Sequence, residues 1–198
     1  VIQLRRVGPD QFRAVLDTVL DVYTVAMRPP SDQLAGRMAI MRNHATYPDF
    51  DCVLAEDAQA PGGVAGFAYG FHGGRGQWWH DVVRGALQDR AGPVVAEDWF
   101  GDALEIAEIH VRPEYQGRGI GRRLIHTLCE GRPERTAVLS THDAPTVARR
   151  LYRDVGFADL MTRFVFPGGY EEYVIAGVRL PLPERGPREV RKDSPREG

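Results

Sequence analysis

The feature that most constrains this chain is a run of glycines caught between a strand and a helix. Leu104 to Val111 reads as a strand, and after Arg112-Pro-Glu-Tyr comes Gln116-Gly-Arg-Gly-Ile-Gly. A helix carrying Leu124, Ile125 and Leu128 follows at once. The first backbone N–H groups of a helix have no intrahelical acceptor, so several donors converge at its start and favour an anion. Glycine at 117, 119 and 121 permits positive φ and lets phosphate oxygens approach the backbone. Arg118, Arg122 and Arg123 add positive charge that a pyrophosphate or a phosphomonoester can use. The plainer alternative is a glycine-rich turn with a solvated basic edge.

Two other phosphate motifs are excluded by position. The phosphate loop of nucleotide hydrolases needs Gly-Lys-Ser/Thr, and no such tripeptide follows these glycines. A dinucleotide fingerprint starting at Gly117 needs glycine or alanine at 122, where Arg122 stands. A nucleotide-binding domain is therefore disfavoured.

The rest of the chain sets the frame. Its 198 residues suit one domain, and 43% apolar with 26% charged residues is the balance of a globular protein. A net charge of -2 argues against a nucleic-acid partner, which calls for a concentrated positive face. No apolar run reaches the ~18 residues of a membrane span and no signal-peptide layout opens the chain, so a cytoplasmic location and no membrane partner are expected. Cys52 and Cys129 lack metal-site or redox-motif spacing and read as buried thiols. Residues 184–198 are almost without apolar groups, which predicts a mobile charged tail after a domain spanning 1–183.

Periodicity predicts a strand at Ile2–Arg5, then a helix after Asp10 carrying Phe12, Val15, Leu16, Val19, Leu20 and Tyr23. Arg28-Pro-Pro-Ser stops that helix, and Ser31 can cap the next, which carries Leu34, Met38 and Met41. Asp51–Glu56 and Val64–Phe71 are strand-like around an Ala60-Pro-Gly-Gly turn. Residues 72–102 are less regular and are taken as an insertion over one end of the sheet, with a helix at Trp78 to Leu87. Thr136–Ser140 reads as a strand, Ala144–Val155 as a helix, and Phe157–Phe166 and Tyr173–Leu182 as two last strands joined by Pro167-Gly-Gly.

Gln116-Gly-Arg-Gly-Ile-Gly matches the Gln/Arg-x-x-Gly-x-Gly/Ala motif of the GCN5-related N-acetyltransferase (GNAT) superfamily. Ala107-Glu-Ile-His-Val-Arg-Pro-Glu-Tyr resembles that family's fourth strand, and Ala148 to Phe157 resembles its later helix and following strand. Three motifs in the right order are specific where each alone is not. The resemblance implies a single α/β (α+β) domain, with a mixed, mostly antiparallel seven-stranded sheet splayed between strands 4 and 5 and flanked by helices. It implies acetyl-CoA as co-substrate, direct transfer of the acetyl group to a primary amine of a small molecule or protein, and no metal. The segment Ile109, His110 and Val111 is expected to hold the pantetheine arm, chiefly through backbone groups of Ile109 and Val111. The N–H groups of Gln116, Gly117, Arg118, Gly119, Ile120 and Gly121, with Arg122 beside them, are expected to hold the pyrophosphate.

Transfer from a thioester to an amine needs a base for the amine and an acid for the departing thiolate. Glu108 matches a position where similar enzymes often carry a base, and partial burial is expected to raise its pKa toward the working range. If Glu108 and His110 share a strand face, Glu105 lies on the opposite one unless a bulge intervenes. Tyr152 matches the position of a tyrosine that protonates the thiolate; a tyrosine packed on the sheet is the other reading. The later helix often begins with asparagine in similar enzymes, whereas Pro145 stands there; Asp143 or Thr141 is expected to cap it instead.

The acceptor is expected to enter between the first helical junction, near Tyr23 to Arg28, and the stretch 72–102. Trp78, Trp79 and Trp99 are candidate walls, and Glu97, Asp98 and Asp102 candidates for attracting an ammonium group. Core packing and a solvated acidic loop are the plainer readings. A non-catalytic acyl-CoA-binding module is the alternative function. The sequence does not fix the assembly, although homodimers are common among similar proteins.

Overall fold

The computed structural model describes residues 1–183; the tail expected at 184–198 lies outside the described residues. Strands β1 (Gln3–Val7), β2 (Asp51–Glu56), β3 (Val64–His72), β4 (Ala103–Val111), β5 (Thr136–His142), β6 (Ala158–Phe164) and β7 (Tyr173–Arg179) form one sheet. Their order is β1-β2-β3-β4-β5-β7-β6, and every pairing is antiparallel except that of β4 with β5. This is the mixed seven-stranded sheet that the resemblance implies.

Helices cover both faces. On one face lie α1 (Pro9–Ala14), α2 (Leu16–Met27) and α3 (Leu34–His44), where Phe12 and Val19 pack on Phe67 and Tyr69. Beside them α4 (Trp78–Ala91) and α5 (Pro93–Phe100) bring Val83, Leu87 and Phe100 onto Val138 and Ile175. The opposite face carries α6 (Ile120–Cys129) and α7 (Val147–Val155), where Leu124, Ile125 and Val155 meet Leu104 and Ile106. Strand alternation makes this sorting: Ala103 belongs to the α4–α5 side, while Leu104 and Ile106 face α6. Cys52 and Cys129 are free thiols and both are buried. No helix among the described residues is long and apolar enough to cross a membrane.

Three expectations are revised. The first helix is two helices, because Val15 leaves helical geometry (φ -110°, ψ 14°) and its N–H turns back to the Phe12 carbonyl at 3.1 Å. Ser31 makes no side-chain cap; a single tight turn at Ser31–Gln33 leads into α3 instead. Residues 72–102 are not a flap over the sheet's end but a layer on its face, since Val83, Leu87, Ala96 and Phe100 are all buried.

That layer is seated by a missing side chain. A Cβ at Gly177 on β7 would lie 2.8 Å from two ring carbons of Trp99 and 2.9 Å from Leu160. The Arg179 guanidinium covers the same indole at 4.2 Å from its centroid. Gly177→Val therefore has to displace a rigid ring, and we expect a loss of about 1–3 kcal/mol. At this size the melting temperature in scanning calorimetry should fall by roughly 3–10 °C.

Candidate active site

β4 holds β5 for three rungs only, Ala103 to Glu105 against Thr136 to Val138. β3 continues to pair with β4 on its other edge as far as Gly66 opposite Val111. Beyond Glu105 the edge of β4 that faces β5 therefore has no strand partner among the described residues, and its backbone donors and acceptors are available to an extended ligand. Ile109 and Val111 stand on this stretch with their side chains against the α6 cluster. Just past it, Arg112 is 2% exposed. Its Nε donates to the Val64 carbonyl at 2.8 Å, and its Nη2 to Asp21 at 2.6 Å and the Pro61 carbonyl at 3.1 Å. This arginine locks the end of the strand to α2 and the β2–β3 turn.

The glycine segment then makes an anion cradle from backbone. Gly117 and Gly119 have φ of 74° and 75°. Among the described residues, no atom beyond their chain neighbours lies within 4 Å of where their Cβ atoms would be, so the space before them is open. Among the described residues, the N–H groups from Gly117 to Arg122 donate to no other backbone group. Gln116 braces the turn through Nε2 to the Val111 carbonyl at 3.0 Å, and Ile120 is buried, leaving only its N–H to the cradle. The arginines serve differently from expectation. Arg122 donates to the carbonyl and carboxylate of Asp154 on α7, both at 3.2 Å, Arg123 to the Ile2 carbonyl at 3.2 Å, and Arg118 lies 5.0 Å over the Tyr115 ring. Gly121 serves helix packing, its Cβ position lying 3.0 Å from Leu151 of α7.

A bulge decides which β4 carboxylates share a face. Gly70 pairs with Ile106 but Tyr69 with Glu108, so Ala107 is an extra residue. A Cβ at Gly70 would lie 2.5 Å from the Glu105 carbonyl, so glycine is what lets the bulge close against β3. Glu105 and Glu108 consequently face the same side. Glu105 is 2% exposed beneath α4, 2.6 Å from His80 Nδ1, and burial, against the pull of that imidazole, holds its carboxyl above the usual range. It is enclosed and already partnered.

Glu108 is 9% exposed and has both oxygens engaged. Oε1 accepts from Arg37 Nη1 of α3 at 2.8 Å, and Oε2 lies 2.5 Å from His110 Nε2. The Arg37 guanidinium sits 4.9 Å over the Tyr23 ring, which meets His110 edge-on at 5.2 Å. The expected rise in the Glu108 pKa is not found. Burial pushes it up, but the hydrogen bond and charge of His110, with the charges of Arg37 and His44, outweigh it and leave the carboxyl below its usual range. His44, 3.0 Å from the Tyr69 hydroxyl, is pulled down to about 4, chiefly by burial.

Tyr152 arrives from the other face of the sheet on α7. The helix is capped by Thr146, whose hydroxyl accepts from Arg149 N at 3.1 Å, and not by Asp143 or Thr141; Asp143 pairs instead with the Arg149 side chain at 2.5 Å. The Tyr152 ring packs 5.9 Å from Phe157, and its hydroxyl makes no hydrogen bond among the described residues. Burial first, and the Glu108 charge second, push its pKa well above the ordinary phenol range. The two groups sense each other across the gap between β4 and β5.

The acceptor candidates divide. Tyr23 and Arg37 stand on one side of the opening, and Tyr173, whose hydroxyl donates to Glu171 at 3.2 Å, feels the Arg37 charge from the other. Trp79 donates to the Ser140 hydroxyl at 3.2 Å. Trp78, 59% exposed, stacks on Phe166 at 5.7 Å, and Phe166 meets Tyr173 at 5.0 Å, so both tryptophans belong to the open end. Asp98, Trp99 and Asp102 do not. Asp98 pairs with Arg179, Trp99 with Gly177 and Arg179, and Asp102 precedes β4 at its closed end near Arg135 and His72. Nothing in the sequence marks Arg37, Arg112 or Tyr173 as residues of the site. An arginine in a helix carries no local mark of the strand carboxylate it will meet 71 positions later.

Comparison with known proteins gives the same direction. Residues 48–159 match the family model described as an acetyltransferase (GNAT) domain. A GCN5-like protein acetyltransferase of Mycobacterium tuberculosis is 32% identical over 197 residues, covering 88% of this chain and 96% of the relative. Among solved structures, a GNAT-family protein of Desulfovibrio desulfuricans superposes with a TM-score of 0.62 at 16% identity, covering 90% of this chain and 99% of that one. Arabidopsis thaliana NAA60, solved with acetyl-CoA, gives 0.60 at 16% identity, covering 91% and 99%.

The buried histidine sets an acid limit on stability. The folded-state pKa of His44 is about 4, below its unfolded value of about 6.5, so the stability it secures is complete above the unfolded value and drains as pH falls through the folded one. Glu108, also depressed, loses its share only below about pH 4.3. Urea denaturation at pH 7 and pH 4 should show wild type losing on the order of 2–3 kcal/mol more than His44→Gln across that window.

Proposed function

The chain belongs to the GNAT acetyltransferases, and from that premise we propose that it transfers an acetyl group from acetyl-CoA to a primary amine through the gap between β4 and β5. The observation that carries this reading is the coincidence of three features on one gap. They are the strand edge of β4 without a partner beyond Glu105, the row of undirected N–H groups from Gly117 to Arg122, and Tyr152 with Glu108 on either side. The two open glycine positions give a pyrophosphate room to approach.

The chemistry assigned to the residues follows from what each is free to do. Backbone groups of Ile109 and Val111 align the pantetheine arm as an added strand, and the N–H groups from Gly117 to Arg122 hold the pyrophosphate, that of Gln116 being spent on the Pro113 carbonyl at 3.2 Å. The thioester is thereby presented to an amine entering past Tyr23, Trp78 and Trp79. Glu108 and His110 together draw the proton from the attacking amine. Tyr152 keeps its proton at neutral pH and has no competing partner among the described residues, which suits it to protonate the leaving thiolate as the C–S bond breaks. The name of the mycobacterial relative supports a protein amine as acceptor, and an amine on a small molecule is the other member of the same class.

Release of the CoA thiol in the presence of acetyl-CoA and a panel of amines and peptides tests the reading. Tyr152→Phe should lower kcat about 100-fold while the KM for acetyl-CoA stays within about threefold. Gly119→Val, which fills the cradle, should instead raise the KM for acetyl-CoA at least about tenfold. Asp98→Asn and Asp102→Asn, remote from the gap, should leave acceptor KM unchanged. Tight binding of acetyl-CoA with transfer to no amine would mark a binding module instead.

A further inference from the structure

The contacts of Glu108 raise a difficulty for a simple base. Its carboxyl is ionised, and each oxygen already serves a partner, Arg37 on one side and His110 on the other. An anion so held has little basicity to spare. The partner at 2.5 Å is the informative one: a carboxylate only accepts, so His110 Nε2 carries the hydrogen between them. In the neutral ring this fixes the tautomer and leaves the lone pair on Nδ1.

That nitrogen is free. Among the described residues, no polar side chain other than that of Glu108 bonds to the His110 ring; its ring neighbours are Tyr23, edge-on at 5.2 Å, and Phe67 at 5.5 Å. No unpartnered side-chain nitrogen or oxygen among the described residues is fully buried. Nδ1 therefore reaches open space although the side chain as a whole is 12% exposed. The same reasoning applies to the Tyr152 hydroxyl, so the site offers one unengaged acceptor and one unengaged donor.

We propose that His110, through Nδ1, is the catalytic group that takes the proton of the acceptor amine, and that Glu108, clamped by Arg37, is the positioning anion that sets its tautomer and stabilises the imidazolium. This rests on the acetyl-transfer reading. As the N–C bond forms, the amine proton passes to Nδ1. As the C–S bond breaks, the sulfur keeps the electron pair and takes the Tyr152 proton. Proton exchange with solvent then restores a neutral imidazole and a neutral phenol. Arg37 acts only through Glu108, by occupying the oxygen that faces away from the ring.

Nitrogen-15 NMR of the histidine rings of the full chain, assigned by comparison with His110→Gln, reads the tautomer without any reaction. The expected result is a protonated Nε2 and a bare Nδ1 in wild type, the same in Glu108→Gln, whose amide oxygen can still accept, and a mixture in Glu108→Ala. In acetyl transfer His110→Gln should lose about 100-fold or more in kcat/KM, and Glu108→Gln less than that, with acetyl-CoA affinity kept in both. A neutral ring protonated on Nδ1 would overturn the proposal, and so would an active wild type whose His110→Gln variant retains more than a third of its kcat/KM. A wild type that transfers to no amine defeats the acetyl-transfer reading itself. If His110→Gln does not fold, the wild-type tautomer and its response to Glu108→Ala decide.

Discussion

The structure depends on the parting of β4 from β5 after Glu105. Three parallel rungs join two halves of a sheet that is otherwise antiparallel, and beyond them β4 follows β3 while β5 follows β7. A strand edge inside a protein is costly unless its polar groups find partners, so an open edge flanked by packed helices is a place prepared for something extended. The features that make the gap useful are arranged to keep it open. The bulge at Ala107 bends β4 locally, Gly70 lets that bend seat against β3, and Arg112 fixes the strand's far end to α2.

The gap also separates two opposite electrostatic settings. On the α2–α3 side, Glu108 is compensated by Arg37 and His110, and the cluster is closed by the aromatic rings of Tyr23, Phe67 and Tyr69. On the α7 side, Tyr152 sits among apolar groups of the α6 cluster with no polar partner among the described residues. Burial raises the phenol because it opposes creation of a charge, and the Glu108 anion adds to the same effect. One side is thus set to hold charge and the other to hold a proton. The separation by environment, more than the identity of either residue, gives the site its direction.

Much of this was legible in the sequence, for reasons that differ from residue to residue. The cradle was readable because backbone requirements leave a local mark: Gly117 and Gly119 adopt the positive φ that glycine permits. The order of strands and helices was readable from periodicity. The bulge left a trace, since the apolar positions that face α6 pass from 104 and 106 to 109 and 111, but that change of phase alone does not say which residue is the extra one or what β3 supplies opposite it. The acidic residues Asp98 and Asp102 misled because composition shows charge but not its partner, and Arg179 and Arg135 lie 81 and 33 positions away. Arg37, which holds the second oxygen of Glu108, was invisible for the same reason. Long-range pairing, not local propensity, sets the electrostatics of the site.

The central claim is that the open edge of β4 and the glycine cradle together receive acetyl-CoA. Hydrogen–deuterium exchange with and without acetyl-CoA tests this directly, because among the described residues the N–H groups from Gly117 to Arg122 and those on the gap-facing edge of β4 have no backbone acceptor to slow them otherwise. Added acetyl-CoA should protect peptides covering residues 106–111 and 117–122, while β1 and β2 stay unchanged. Protection confined to some other part of the chain, with these two segments exchanging as fast as before, would contradict it.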